Sequence, residues 1–349
     1  MSALADYLKN HIAAHGPMDV GAFMTLALGH PEHGYYMKKD PFGAGGDFTT
    51  APEISQMFGE VLGAWTADIW SQMGRPDPFV LLECGPGRGT LMADMMRATS
   101  KVAGFHAACR IHLLEMSPVL KSLQREKLAD FEVNWHENLS SLSVDYPFVV
   151  IANEFLDALP VRQMQKMKDG WKERLISHSE KEGFHFICGS AMSGDFPAAE
   201  VDAIFEIGPA RVSFVSNVAD LLVQAGGVAL FIDYGHIQSA PGDTLQAVYK
   251  HQYVSVFEHI GDADLTSHVD FEALQRVVPA RIYGPVEQGA FLKALGIAQR
   301  AAYLMEKSDK KQKDAIEKSL HRLTHSSQMG SLFKVMGISH GRAIQPAGF

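Results

Sequence analysis

The chain has 349 residues, 46% of them hydrophobic and 20% charged, a globular composition long enough for one elaborated domain or two. A net charge of −9 excludes a broad phosphate-backbone binder, which needs clustered Lys and Arg; an acidic surface suits simple solubility and equally a basic protein partner. Three scattered cysteines, Cys84, Cys109 and Cys188, without a C-x-x-C pair, fit a reduced compartment and no structural zinc, and no apolar run reaches the roughly 18 residues that span a bilayer.

In chain order, Ala3, Leu4, Tyr7, Leu8 and Ile12 fall at helical spacing until Gly16-Pro17 stops them, and Val20–Leu28 is a second apolar helix. Residues 30–50 read as a long glycine loop carrying tyrosines and phenylalanines. Loops of that length are functional or disordered, and the aromatics favour a loop packed over a site. Thr50-Ala-Pro-Glu53 matches a capping box with proline in the first turn. Ile54, Met57, Phe58, Val61, Leu62, Trp65 and Ile69 then form one helical stripe ending near Gly74.

From Phe79 the pattern alternates strand and helix, the mark of a doubly wound α/β sheet. The expected strands are Phe79–Cys84, Arg110–Glu115, Glu132–His136, Pro147–Ala152 and Gly227–Asp233. Three short strands between residues 161 and 190 form a β insertion, and Ile204–Pro209 is expected to open a helix over 211–225. The tail reads as helices at 271–278, 288–297 and 310–323 with strands at 281–286 and 331–336.

Ligands of open α/β sheets sit at the carboxyl ends of the strands. Those ends carry Glu83 with Gly85, Gly87 and Gly89, then Glu115, Glu137-Asn138, Asn153-Glu154 and Asp233. The glycines relieve a tight turn and let a ligand approach the backbone. A phosphate-binding P-loop is excluded because Gly89-Thr90 lacks the lysine. The spacing is G-x-G-x-G, not G-x-G-x-x-G, and acids beside a pyrophosphate repel it. S-adenosylmethionine (SAM), with a sulfonium, an ammonium and no phosphate, suits this crevice on charge. Glu115 can accept both ribose hydroxyls; its alternative is to cap the turn before Ser117. No metal is expected.

These motifs, together with Gly46–Gln56, Asn153-Glu-Phe-Leu-Asp-Ala-Leu-Pro160, Asp233-Tyr-Gly235, Ala263–Phe271 and Gly289–Ile297, resemble the MidA family of class I SAM-dependent methyltransferases over roughly residues 5 to 340. The resemblance implies a Rossmann-like methyltransferase sheet. An N-terminal helical cap with the glycine loop would cover 1–76 and the SAM-binding domain 77–349, with a β subdomain near 161–200 and helical substrate-side elements near 240–330. It implies protein-arginine methylation, with symmetric dimethylation of a respiratory complex I subunit or a similar protein as known for mitochondrial members. A homo-oligomer, no nucleic-acid partner, and a cytoplasmic location (the mitochondrial matrix for a processed eukaryotic member) complete the expectation. Asp47, Thr49 and Thr50 are expected to close over the methionine part of SAM, with Asn153 nearby and Asn138-Leu139 beside the adenine.

A guanidinium is protonated in water, so transfer to it needs carboxylates that hold it and accept a proton. Glu154 and Asp157 are the candidates, sharing a face if their segment is helical; Asp157 could instead cap the turn before Pro160. His268 is a second candidate for proton removal or for orienting a carboxylate, its alternative a structural histidine. Two rival functions stay open at this level: a non-catalytic assembly factor that retains the fold, and an NAD-dependent oxidoreductase.

Overall fold

The computed structural model describes residues 2–38, 40, 41 and 49–349. The chain divides into two compact units, one from residues 49–155, 215–237 and 271–349, the other from residues 1–48, 156–214 and 238–270.

The first unit begins with helices α1 (Ala51–Ile54) and α2 (Gln56–Gln72). The expected capping box does not form. The Thr50 side chain makes no cap, and Glu53 turns instead to the Thr90 hydroxyl (2.5 Å) and Arg88 (3.7 Å). Nor is the apolar stripe one helix. Ser55 is extended (φ −164°, ψ 136°) and its Oγ accepts the Met57 N–H, starting α2 afresh.

Strand β1 (Phe79–Cys84) leads to helix α3 (Thr90–Thr99), and β2 (Cys109–Leu114) to α4 (Pro118–Lys127). Then come β3 (Val133–His136), β4 (Phe148–Asn153), β5 (Gly227–His236), β6 (Arg281–Glu287) and β7 (Phe333–His340). Their order is β3-β2-β1-β4-β5-β7-β6. The first five are mutually parallel, and β7 runs antiparallel to both neighbours. Every residue of β1 and β4 is buried, as continuous apolar runs in a covered parallel sheet should be. Chain order reverses between β1 and β4, the switch point where such sheets open a crevice. Glu83 stands level with Leu113 and Ile151, so the strand ends finish on one rim.

Helices α2 and α3 pack with little between them. A Cβ on Gly59 would lie 2.5 Å from the Asp94 Cβ, and one on Gly63 2.8 Å from the Met95 carbonyl oxygen, so only glycine permits this approach. The contact is reinforced by Glu60, 7% exposed, which accepts from Arg97 (2.6 Å) and from Arg300 (2.8 and 2.9 Å) on the helix Ile297–Glu306.

The second unit holds helices Ala3–His15 and Val20–Gly29 and a five-stranded antiparallel sheet centred on Gly170–Ser179. Strand Gly183–Met192 lies along one side of it; Arg162–Met167 and Met18–Asp19 pair with it too. Leu4, Leu8, Phe23, Met24, Val161 and Ile176 form its core. The β insertion is therefore real. Ile204–Ile207, expected to open a helix, is a further strand, paired with Arg162–Gln165. Within 240–330, where helical elements were expected after a loop over 261–270, Gln246–Tyr249, Gln252–Val254 and Asp264–Thr266 form a three-stranded sheet. In the tail, the helix expected over 288–297 splits at Gly296 (φ +84°) into Gln288–Ala294 and Ile297–Glu306.

Burial alone would raise the Glu60 carboxyl, but hydrogen bonds and charge from Arg300 and Arg97 hold it below its usual range. The unfolded state therefore binds a proton at a higher pH than the folded one, and the contribution of Glu60 is full at neutral pH and lost as pH falls through the carboxylate range. Glu60→Gln should lower unfolding stability at pH 7 by about 1–3 kcal/mol, reduced from the fully buried case because both arginines are partly exposed. At pH 4 the loss should be smaller; urea titrations at the two pH values measure it.

Candidate active site

The turn after β1 takes the conformation that its glycines allow: Gly85, Gly87 and Gly89 have φ of +65°, +53° and +78°. The Gly85 N–H bonds the Leu114 carbonyl (3.0 Å), extending the sheet, and the Gly89 N–H closes on the Pro86 carbonyl (2.7 Å). A side chain at Gly85 would also strike the Phe155 ring, 2.7 Å from the new Cβ.

Glu83 is 3% exposed, and its Oε2 has no hydrogen-bond partner among the described residues. Burial pushes its carboxyl up to about 8; a main-chain bond from Met92 in the first turn of α3 opposes this, and the Glu115 charge adds to it. Glu115, 8% exposed, is raised by burial as well, opposed by the Ser117 N–H and by Gln124. Its Oε1 accepts from Ser117 N (2.7 Å) and its Oε2 from Gln124 Nε2 (3.0 Å). Glu115 thus does brace the turn before Ser117, where the Met116 main chain also bonds to it, and part of its acceptor capacity remains.

Gln124, fully buried on α4, escaped the sequence reading. Its Nε2 donates to the Gly87 carbonyl (2.7 Å) and to Glu115, and its Oε1 accepts from Trp135 Nε1 on β3 (2.9 Å). One amide therefore ties the glycine turn, the acid after β2 and the next strand. The available signal was a glutamine four residues after Leu120, on the apolar stripe of the helix.

At the end of β4, Asn153 is 7% exposed and its Oδ1 lacks a partner among the described residues. Its Nδ2 donates to Glu154 Oε1 (3.2 Å), which also accepts the Ala51 N–H (2.7 Å) at the start of α1. Glu154 sits at φ +50°, a left-handed conformation that non-glycine residues seldom take. Thr50 precedes α1, and the Thr49 carbonyl accepts from Arg322 at 3.4 Å. Asn138 and Leu139 begin a single 3-10 turn after β3. Asp47 lies outside the described residues.

The strand-end candidates Glu83, the three glycines, Glu115, Asn153 and Glu154 thus gather on one unit. Asp157 and His268 belong to the other. Residues 154–159 are not helical, so the shared helical face expected for Glu154 and Asp157 does not exist. In its own unit Asp157 is 6% exposed, and its carbonyl accepts from Arg211 Nη2 (2.8 Å) and from Ser267 N (3.2 Å). Arg211 also donates to the carbonyls of His268 (2.6 Å) and Ser267 (3.1 Å). A buried guanidinium, invisible to motif reading, joins the two segments that carry Asp157 and His268.

Two buried carboxyls, an amide oxygen without a donor among the described residues and a turn with glycine at every second position fit a cationic, phosphate-free nucleoside such as SAM. A profile of S-adenosyl-L-methionine-dependent methyltransferases, Methyltransf_28, matches residues 61–286. The chain belongs to this family, the MidA group. The methyltransferase is 36% identical to the mitochondrial protein arginine methyltransferase NDUFAF7 of Xenopus laevis, over 97% of this chain and 84% of the relative. It is 30% identical to the human NDUFAF7 over 97% and 84%. A Burkholderia thailandensis crystal structure bound to S-adenosyl-homocysteine superposes with a TM-score of 0.87 at 28% identity, covering 99% of this chain and 93% of that one. The protein is a SAM-dependent methyltransferase with a mixed α/β fold, and the oxidoreductase alternative falls. Among the described residues no helix is long and apolar enough to cross a membrane.

Two outcomes follow. Between about 4.5 and 8 folded Glu83 holds a proton that the unfolded chain does not, so ligand-free stability falls as pH rises through that window. A bound cation favours the ionised form, so SAM affinity should rise from pH 6 to pH 8, and Glu83→Gln should flatten both profiles; calorimetry and thermal unfolding read them. Gln124→Leu should weaken SAM binding about tenfold or more, since it removes two donors from the turn and the acid; unchanged affinity would remove Gln124 from the site.

Proposed function

We propose that this methyltransferase methylates arginine side chains of a protein. The observation that carries this reading is the identity of 36% to a protein arginine methyltransferase over 97% of the chain. Bound at the strand ends, SAM supplies an electrophilic methyl on a sulfonium. A guanidinium nitrogen forms the new N–CH₃ bond as the S–CH₃ bond breaks; its electron pair leaves with sulfur, and the nitrogen gives up a proton.

The chain's own groups divide the work. Gly85, Gly87 and Gly89 admit the cofactor to the backbone, Glu83 and Asn153 present unpaired oxygens to its positive end, and Glu115 takes the ribose hydroxyls. Asn138 and Leu139 flank the adenine, while Thr49 and Thr50 cover the methionine part. Glu154 holds the guanidinium. Its left-handed backbone and its bond to the Ala51 N–H fix its carboxylate before substrate arrives, which spares reorganisation at the reacting centre. Asp157 and His268, expected as a second carboxylate and as the proton acceptor or relay, belong to the other unit and are given no step with Glu154.

The acceptor to try first is a core subunit of complex I, with symmetric dimethylarginine as product. The named relatives are mitochondrial; the compartment expected here is the matrix, or the cytoplasm in a bacterium.

Incubation with isotope-labelled SAM and such a subunit, read by peptide mass spectrometry, should place label on arginine. Label on another residue type, or none, would defeat the reading and in the second case favour a non-catalytic assembly role. Glu154→Gln keeps an oxygen for the Ala51 N–H. It should hold SAM affinity and lose transfer by about a hundredfold or more, the scale of lost proton-transfer catalysis; retained turnover would release Glu154 from the chemistry.

A further inference from the structure

Two histidines stand side by side where β2 and β3 run parallel. His112 Nδ1 lies 2.8 Å from His136 Nε2, with the ring planes 8° apart. His136 Nδ1 lies 2.7 Å from the Ser141 Oγ, and Ser141 Oγ donates to the Asn138 carbonyl at 2.8 Å. A second serine, Ser140, donates to Asn138 Oδ1 (2.6 Å). None of these residues was singled out by motif except Asn138.

The positions of the protons follow from the chemistry of the end group. A carbonyl only accepts, so the one hydroxyl hydrogen of Ser141 is spent on Asn138. Ser141 Oγ can then only accept from His136, which must carry its proton on Nδ1. A neutral His136 protonated there has a bare Nε2, and the facing His112 must supply the hydrogen from its own Nδ1. Reversing any member leaves two lone pairs or two hydrogens in contact. The chain therefore has one direction: His112 to His136 to Ser141 to the Asn138 carbonyl.

We infer that His112, His136 and Ser141 form an oriented hydrogen-bond relay that positions the Asn138–Leu139 turn against the adenine of SAM. The relay needs both rings neutral, and burial does lower both imidazoles, His112 to about 4 with help from the neighbouring His136. The turn needs such a brace. It is one three-residue 3-10 helix in which Asn138 makes no side-chain cap, and short helices of this kind have poor internal hydrogen bonds. The two imidazoles anchor it to two strands of the sheet, so that the adenine edge inherits the rigidity of β2 and β3. His112, His136 and Ser141 are positioning residues that act through Asn138. The inference rests on the proposed placement of the adenine.

Long-range proton–nitrogen spectra of the full-length protein at pH 7, assigned by loss of signal in single variants, should show His112 and His136 both protonated on Nδ1. That is the minor tautomer of a free imidazole. A His136 proton on Nε2 overturns the relay. Calorimetric titration with S-adenosyl-homocysteine gives the functional arm. Ser141→Ala and His136→Gln, whose amide mimics only Nε2, should weaken binding about five- to tenfold, the worth of one hydrogen bond. His136→Asn, whose amide mimics Nδ1, should restore it. If Asn138→Ala weakens binding while Ser141→Ala does not, the positioning role is wrong and the adenine placement stands. If Asn138→Ala leaves binding unchanged, the placement itself fails and the positioning role with it.

Discussion

Glu83 is the constraint around which the cofactor unit is arranged. A carboxyl at the end of a fully buried strand costs free energy unless it is neutral or paired. Here one oxygen takes a first-turn N–H of α3 and the other has no partner. The alternate glycines of the turn beside it, Gly85, Gly87 and Gly89, carry no side chain, and the second acid, Glu115, raises the cost of charging it. Such a site is poor for folding and good for capturing a cation, because the ligand removes the very penalty the free protein carries. The stabilising face of the unit lies elsewhere, in the apolar packing of α2 and α3 on the sheet.

Polar side chains with fixed partners hold the rim in shape. Gln124 joins the glycine turn to the acid after β2 and to Trp135 on β3. Glu154 joins the end of β4 to the start of α1. The imidazole pair joins β2 and β3 to the Asn138 turn. The Gln124 amide is fully buried with both its donors and its acceptor matched, so it can hold one geometry, whereas the imidazole pair is half-buried and ends on the exposed Ser141 and Asn138. Loops that must bind a ligand gain precision when rigid elements fix both ends, and the reaction asks mostly for positioning.

The same chain builds a second unit from its N-terminal helices, the β insertion and residues 238–270. Arg211 organises its polar interior by donating to the carbonyls of Asp157, Ser267 and His268. Asp157 and His268 are held there through main-chain contacts made by a residue that no motif flags. For Glu154, the first structural fact is a helix-start contact rather than exposure to a substrate.

How much was legible depended on how local the cause was. The apolar runs of β1 and β4 and the mixed but mostly apolar β2, each with an acid at or just past its end, located those strands within a residue or two, and the turn glycines read true because positive φ is a property of single residues. Local rules failed where another partner outbid them. Thr50 and Glu53 have the sequence of a capping box, yet Glu53 bonds Thr90 and Arg88. Ser55 breaks a stripe that periodicity runs straight through. Ile204–Ile207 is a strand because Arg162–Gln165 offers it an edge. By itself, then, the sequence determined the α/β alternation, the glycine turn, the acids at the strand ends and, through their charge, a cationic cofactor. Only the tertiary structure decided that β7 runs antiparallel between β5 and β6, that Gln124 and two histidines brace the rim, and that residues 154–159 are not helical. Those outcomes depend on partners distant in the chain, and periodicity carries no information about which distant residue will supply the missing hydrogen bond.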